Sequence, residues 1–303
     1  MSKKLFSLLL VFLMTACAAA SLAEGSGITV TDMFGREITL TGPAERIVVL
    51  QPADCEILCA IGCEDAIVGR GQYVDYPQSV LDVPVVQSGA ETNVEEILAL
   101  QPQVVLMNSM SQSEEQVRQL EENGVKVVVS STSDIESVYT AIHLIGALMG
   151  RDAEAEALIA DMQGTFDEIR AKTAGQTRKV YFEISPPPYL YSAGSSSYMN
   201  ELAEICGITN IFADQPDAWL MISEEQVIER DPDYIVLITG MGSQGVEEIL
   251  SREGWGNISA IREQRIFNDD DSCMARPGPR LKDAAIALYS FVYESGAEEE
   301  PAA

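Results

Sequence analysis

The chain has 303 residues, and its 47 Asp and Glu outweigh 19 Lys and Arg to leave a formal net charge of −28. So acidic a surface repels nucleic acid and anionic membranes, and it is compatible with an uncharged or cationic small ligand. The single histidine, His143, counts against a histidine-rich zinc or manganese site and against a Ser-His-Asp triad.

Lys3 and Lys4 precede the apolar run Leu5 to Met14, and mostly small residues follow from Thr15 to Ala23. That order predicts an export signal over residues 1–23, with an apolar run too short to span a bilayer as a helix. Leu13-Met14-Thr15-Ala16-Cys17 resembles a bacterial lipobox, in which Cys17 becomes the lipidated first residue, whereas Ser21-Leu22-Ala23 offers cleavage after Ala23. Cys17 stands directly after the apolar run, which favours a lipoprotein on the outer face of the cytoplasmic membrane. The unlipidated product would be periplasmic. No later segment approaches the ~18 apolar residues of a membrane span. The roughly 280 residues that remain suffice for one or two domains with a sizeable core.

Ile28 to Thr31 and Glu37 to Leu40 flank Asp32-Met33-Phe34-Gly35-Arg36 and predict a β-hairpin. Arg46 to Leu50 predicts a strand, Ala53 to Ile61 a helix stopped by Gly62, and Ile67 to Gly69 a further strand. Asn93 to Leu100 predicts a helix, Val104 to Met107 a buried strand, Glu114 to Glu122 a helix, and Val125 to Val129 a strand. This alternation implies a parallel sheet covered on both faces. Asp134 to Met149 is helical up to Gly150. Asp152 to about Lys172 is a continuous amphipathic helix striped by Leu158, Ile159, Met162, Phe166 and Ile169. Alternation then resumes with a strand at Val180 to Ile184, helices at Ser197 to Cys206 and Glu224 to Arg230, and a strand at Tyr234 to Ile238. A last strand at Arg265 to Phe267 and a helix at Leu281 to Tyr293 follow. The fold class is α/β, with two doubly wound, Rossmann-like lobes at 28–150 and 175–294 bridged by one long helix at 151–174. Residues 295–303 form an acidic, disordered tail.

Five cysteines lie beyond Cys17, an odd number that leaves at least one thiol without an internal partner. Cys55, Cys59 and Cys63 recur along one helical face, a spacing that suits neither a zinc pair nor an easy disulfide, and they read as small core residues. Cys206 and Cys273 share the second lobe, and their pairing stays open.

Five segments carry a family resemblance. They are Gln51-Pro52-Ala53-Asp54-Cys55-Glu56-Ile57-Leu58-Cys59-Ala60-Ile61-Gly62, Asn93-Val94-Glu95-Glu96-Ile97-Leu98-Ala99-Leu100-Gln101-Pro102, Glu204-Ile205-Cys206-Gly207-Ile208-Thr209-Asn210-Ile211-Phe212, Ser223-Glu224-Glu225-Gln226-Val227, and Arg276-Pro277-Gly278-Pro279-Arg280-Leu281. In this order they resemble the cobalamin- and ferric-siderophore-type binding proteins of ABC importers over about residues 28 to 293. The resemblance implies a monomer with a rigid interlobe helix and a ligand held between the lobes, with no catalysis, no bound metal ion and no cofactor of its own. The ligand it implies is a corrinoid, with a ferric siderophore or another iron chelate as the alternative. It implies that Tyr73, Tyr189, Tyr191, Trp219 and Arg276 contact the ligand from loops. Glu95 and Glu225 are implied to dock into basic pockets on the two permease subunits, although the start of a helix also favours a carboxylate through its dipole. Gly89, Asn108 and Cys273 replace aromatic residues of cobalamin-binding relatives, which implies a wider or more polar pocket. Two other classes fit less well. An exported metal-chelate enzyme would need a paired nucleophile and base or a Gly-rich phosphate loop, and a surface adhesin would show repeats.

Overall fold

Apolar runs in this chain send alternate residues to opposite sides of a sheet. The computed structural model describes residues 27–89, 91–108, 113–238, 245–269 and 272–294. The export signal with Cys17 and the acidic tail lie outside the described residues. Strands β1 (Ile28–Thr31) and β2 (Glu37–Leu40) form the expected antiparallel hairpin. Strands β3 (Ile47–Val49), β4 (Ile67–Gly71), β5 (Val85–Val86), β6 (Val104–Asn108) and β7 (Lys126–Ser130) form a parallel sheet in the order β5-β4-β3-β6-β7. Val48, Leu50, Val105, Met107, Val127 and Val129 face one core, whereas Ile47, Val49, Val104, Leu106 and Val128 face another. Burial on both faces is why these strands read as unbroken apolar runs.

Helices α1 (Pro52–Ala60), α2 (Val94–Ala99) and α3 (Glu114–Glu122) cover this first sheet, and α4 (Ile135–Met149) leads to α5 (Asp152–Thr173). Gly150 ends α4 in the left-handed conformation at φ 63°, which turns the chain sharply into α5. A Cβ on Gly146 would sit 2.6 Å from that of Ala155, so the close crossing of α4 and α5 depends on glycine there. Helix α5 has 22 residues, about 33 Å at the rise of an α-helix.

The second sheet contains β8 (Arg178–Glu183), β10 (Ile208–Asn210), β12 (Tyr234–Leu237) and β13 (Ile266–Asn268), all parallel in the order β10-β8-β12-β13. Strand β9 (Tyr191–Ala193) leaves this sheet to pair with β11 (Trp219–Met221) as an antiparallel ribbon. Helices α6 (Tyr198–Ile205), α7 (Glu224–Arg230), α8 (Val246–Leu250), α9 (Ser259–Arg262) and α10 (Leu281–Tyr293) complete the second lobe. Val180, Phe182, Tyr234 and Val236 turn toward α5 and α10, while Tyr181, Ile235 and Leu237 turn to an outer core with Phe212 and Trp255. The first of these cores is continuous through Ile159, Met162 and Phe166 into the first lobe, so both lobes share one apolar interior. Among the described residues, no helix is long and apolar enough to cross a membrane.

Strand order reverses at β3/β6 in one sheet and at β8/β12 in the other. In doubly wound sheets the crevice outside the carboxyl ends of the strands at such switch points receives ligands.

Candidate functional site

The predicted contact residues follow the carboxyl ends of strands from both lobes. Tyr73 lies in the loop after β4 and is 66% exposed, and Tyr189 lies after β8 and is 70% exposed. Tyr191 and Trp219 are not loop residues, as the sequence had implied, but occupy the β9/β11 ribbon. The ribbon register places Tyr191 opposite Met221 and Trp219 opposite Ala193, so these residues share one face, and Ser192 and Leu220 share the other. Leu220 packs on the outer core of the second lobe, whereas Trp219 is 37% and Met221 69% exposed. The Trp219 ring meets Tyr198 edge-on, with centroids 5.7 Å apart and planes at 72°. Met221, exposed on the same face, is a residue that sequence reading did not single out.

An ionic cluster ties the two lobes together beside these aromatics. Arg276 of the second lobe reaches Asp75 Oδ1 of the first with Nη1 at 2.5 Å, and its Nη1 lies 3.8 Å from Glu56 Oε1. Arg280 donates from Nη2 to Glu56 Oε1 at 2.7 Å, and its guanidinium lies over the Tyr76 ring at 3.9 Å. The backbone approaches closely here too: a Cβ on Gly278 would lie 3.3 Å from that of Ala53. Tyr198, which supports Trp219, donates its hydroxyl to the Met274 carbonyl at 2.9 Å. A chain of contacts and short peptide segments therefore runs from Trp219 through Tyr198, Met274, Arg276 and Asp75 to Tyr73.

Burial drives the Glu56 carboxyl above its ordinary range against the opposing pull of Arg280, while its Oε2 is buried without a hydrogen-bond partner. The hydrogen bond from Arg276 holds the Asp75 carboxyl below the usual carboxylate range. Asp54, fully buried at the start of α1, accepts from Ser130 Oγ at 2.9 Å, and burial pushes it up to about 7. Glu56, Asp75 and Arg280 were missed as candidates. The signal for Asp54 and Glu56 was two acids inside an otherwise apolar helix, since charges so placed are retained with partners.

Glu95 and Glu225 occupy equivalent places in the two lobes. Asn93 caps α2 by accepting from the Glu96 amide, and Ser223 caps α7 in a reciprocal box with Gln226. Each glutamate stands two residues past its cap and is exposed. Its own backbone amide and the Ser223 hydroxyl hold the Glu225 carboxyl below the usual range. Glu224 turns inward instead, where it accepts from Trp255 Nε1 at 2.6 Å. Trp255 lies under the Arg252 guanidinium at 4.5 Å, and Arg252 grips the buried Glu183 at the end of β8 through two bonds of 2.6 and 2.8 Å.

Among the described residues no disulfide forms, so Cys206 and Cys273 do not pair with each other. Cys55 and Cys63 are core residues as expected, and Cys59 is half-buried against the same core. Among the described residues, no group of His, Cys, Asp and Glu is arranged to hold a metal ion.

Two parallel α/β lobes on one spine helix, with exposed aromatic side chains in both, are the architecture of a two-lobed solute-binding protein. The chain belongs to the periplasmic binding protein family, whose model matches residues 47–273. It is 31% identical over 273 residues to an uncharacterized ABC transporter substrate-binding lipoprotein of Bacillus subtilis, covering 88% of this chain and 85% of that one. It is 30% identical over 247 residues to the vitamin B12-binding protein of Salmonella choleraesuis, covering 81% and 89% of the two chains. Among solved structures, a possible iron-binding periplasmic solute-binding protein of Staphylococcus epidermidis superposes with a TM-score of 0.70 at 27% identity, covering 82% of this chain and 99% of that one. The chain is accordingly a substrate-binding protein of an ABC importer, a class that works outside the cytoplasm with a permease.

Proposed function

We propose that the cleft captures a corrinoid, cobalamin-like ligand and that Glu95 and Glu225 dock the loaded protein onto the two permease subunits. In this reading Cys17 carries the lipid anchor, the protein acts as a monomer, and binding proceeds without catalysis or a cofactor. The observation that carries it is the shared ribbon face of Tyr191, Met221 and Trp219 in the second lobe, with the exposed Tyr73 in the first. A broad, flat macrocycle needs flat apolar walls, and aromatic side chains supply large contact area in fixed geometry. The similarity to a vitamin B12-binding protein supports the same ligand class. The second reading, a ferric siderophore or another iron chelate, is supported by the similarity to the possible iron-binding protein of Staphylococcus epidermidis.

Thermal unfolding of the purified protein against corrinoids and ferric chelates tests the two readings. A ligand at a hundredfold excess over Kd stabilises the fold by about 2.7 kcal/mol and is recovered unaltered. A shift with ferric chelates alone selects the second reading, and the absence of any shift overturns both.

A further inference from the structure

We propose that Asp75 sets the charge preference of the cleft, admitting near-neutral metal chelates and turning away polyanionic ones by keeping the Arg276 guanidinium engaged across the lobes. This rests on the cleft reading above and goes beyond it by assigning the selectivity to one carboxylate.

An arginine at a cleft floor is a ready receptor for anionic oxygens, because its planar fork of donors matches carboxylate and catecholate groups. Here one arm of the fork, Nη1, is already engaged. Arg276 is only 16% exposed along its side chain and holds Asp75 at 2.5 Å. Its neighbour Arg280 is committed to Glu56 at 2.7 Å and covered by the Tyr76 ring. The four groups sum to no net charge. Both arginines come from the segment after β13, and one short stretch, Tyr73-Val74-Asp75-Tyr76, meets both of them. Asp75 neutralises the first, Tyr76 shields the second, and Tyr73 offers its ring to the cleft. Arg70, a further cation beneath this stretch, is buried and donates to the carbonyls of Val74, Leu81 and Val83.

Asp75 is the exposed member of the cluster, with 58% of its side chain open to solvent, so its charge is felt by a ligand resting on Tyr73. An incoming polyanion must displace this carboxylate from Arg276 while being repelled by it. A near-neutral chelate meets neither obstacle. Glu56 cannot take over the role, because it is buried and already bound to Arg280. Replacing Asp75 with Asn removes one negative charge, leaves the backbone, most of the side-chain volume and an accepting oxygen, and so leaves the Arg276 charge without its neutralising partner.

The test is isothermal titration of the full chain with cyanocobalamin, which is close to neutral, with singly cationic ferrioxamine B, and with triply anionic ferric enterobactin. The wild type favours the first two. In Asp75→Asn the ratio of affinities for the triple anion over cyanocobalamin rises about tenfold at 0.15 M salt, and the gain shrinks as salt is added. Arg276→Gln shifts the same ratio the opposite way, which a merely structural role for the pair would not produce. A ratio in Asp75→Asn within twofold of wild type overturns the proposal, as does a wild type that already prefers the triple anion. Failure of the wild type to bind any of the three would instead remove the cleft reading, and the proposal with it.

Discussion

Trp255 donates its indole N–H to the carboxylate of Glu224 across 2.6 Å, so the residue next to the docking candidate Glu225 is tied into the core of the second lobe. Two adjacent glutamates of like sequence thus face opposite ways, one bound to an indole and one open to solvent. A hydrogen bond to a charged group contributes about 1.5–3 kcal/mol. Trp255→Phe keeps most of the ring and removes the donor. Its unfolding free energy from urea titration should fall by an amount in that range, with amide exchange accelerating first at residues 224–230. Glu224→Gln retains an acceptor and should cost less. Equal losses in the two variants would show that the N–H is not what fixes the start of α7.

The proposed docking through two carboxylates would be bivalent. The second pair forms at the effective concentration set by the first, so losing either glutamate should cost more than the ~1 kcal/mol ceiling of a lone surface ion pair. Changing both Glu95 and Glu225 to Gln should abolish uptake of labelled ligand while calorimetry on the purified protein gives an unchanged Kd. Weakened ligand binding with transport intact would place these residues in the cleft instead.

Trp219→Ala should weaken ligand binding by about 1–3 kcal/mol, from lost apolar contact and ring stacking. Trp219 sits on the solvent face of its ribbon and touches Tyr198 only edge-on, so the melting temperature of the free protein should move little. A large fall in melting temperature with unchanged affinity would assign Trp219 to packing.

Asp54 gives stability a pH dependence of definite sign. Burial lifts its carboxyl to about 7, against about 3.9 in an unfolded chain. Between these values the folded protein keeps a proton that the unfolded chain has released. The contribution of this group is therefore full below about pH 4 and is lost as the pH rises through about 7. Asp54→Asn cannot titrate, and its amide oxygen can still accept from Ser130. Its stability relative to wild type should improve by about 2–4 kcal/mol between pH 4.5 and pH 7.5 in parallel urea titrations. A difference that stays flat over that interval would mean Asp54 is not the titrating group.

Local pattern made the hairpin and the helices Glu114–Glu122, Glu224–Arg230 and Leu281–Tyr293 legible to the residue, the first two helices through their capping boxes and the last through its apolar spacing. The Asp152–Thr173 helix was legible for the same reason. The β9/β11 ribbon was not. Each of its strands has three residues, and their pairing is fixed by a partner far along the chain rather than by a turn. The Arg276–Asp75 pair joins residues 201 positions apart, and neither belongs to a periodic pattern, so only the assembled lobes reveal it. Arg276 could thus be singled out from the sequence, but its partner Asp75 could not.

The spine helix bears on traffic at the transporter. With one apolar interior running through α5 from lobe to lobe, the lobes have little freedom to swing, and under the proposed docking the span between Glu95 and Glu225 should stay nearly the same in empty and loaded copies. On that proposal empty copies should compete with loaded ones for the same permease. Adding more binding protein at fixed nutrient should raise the import rate only up to the point where vacant copies crowd the gate, after which the rate declines.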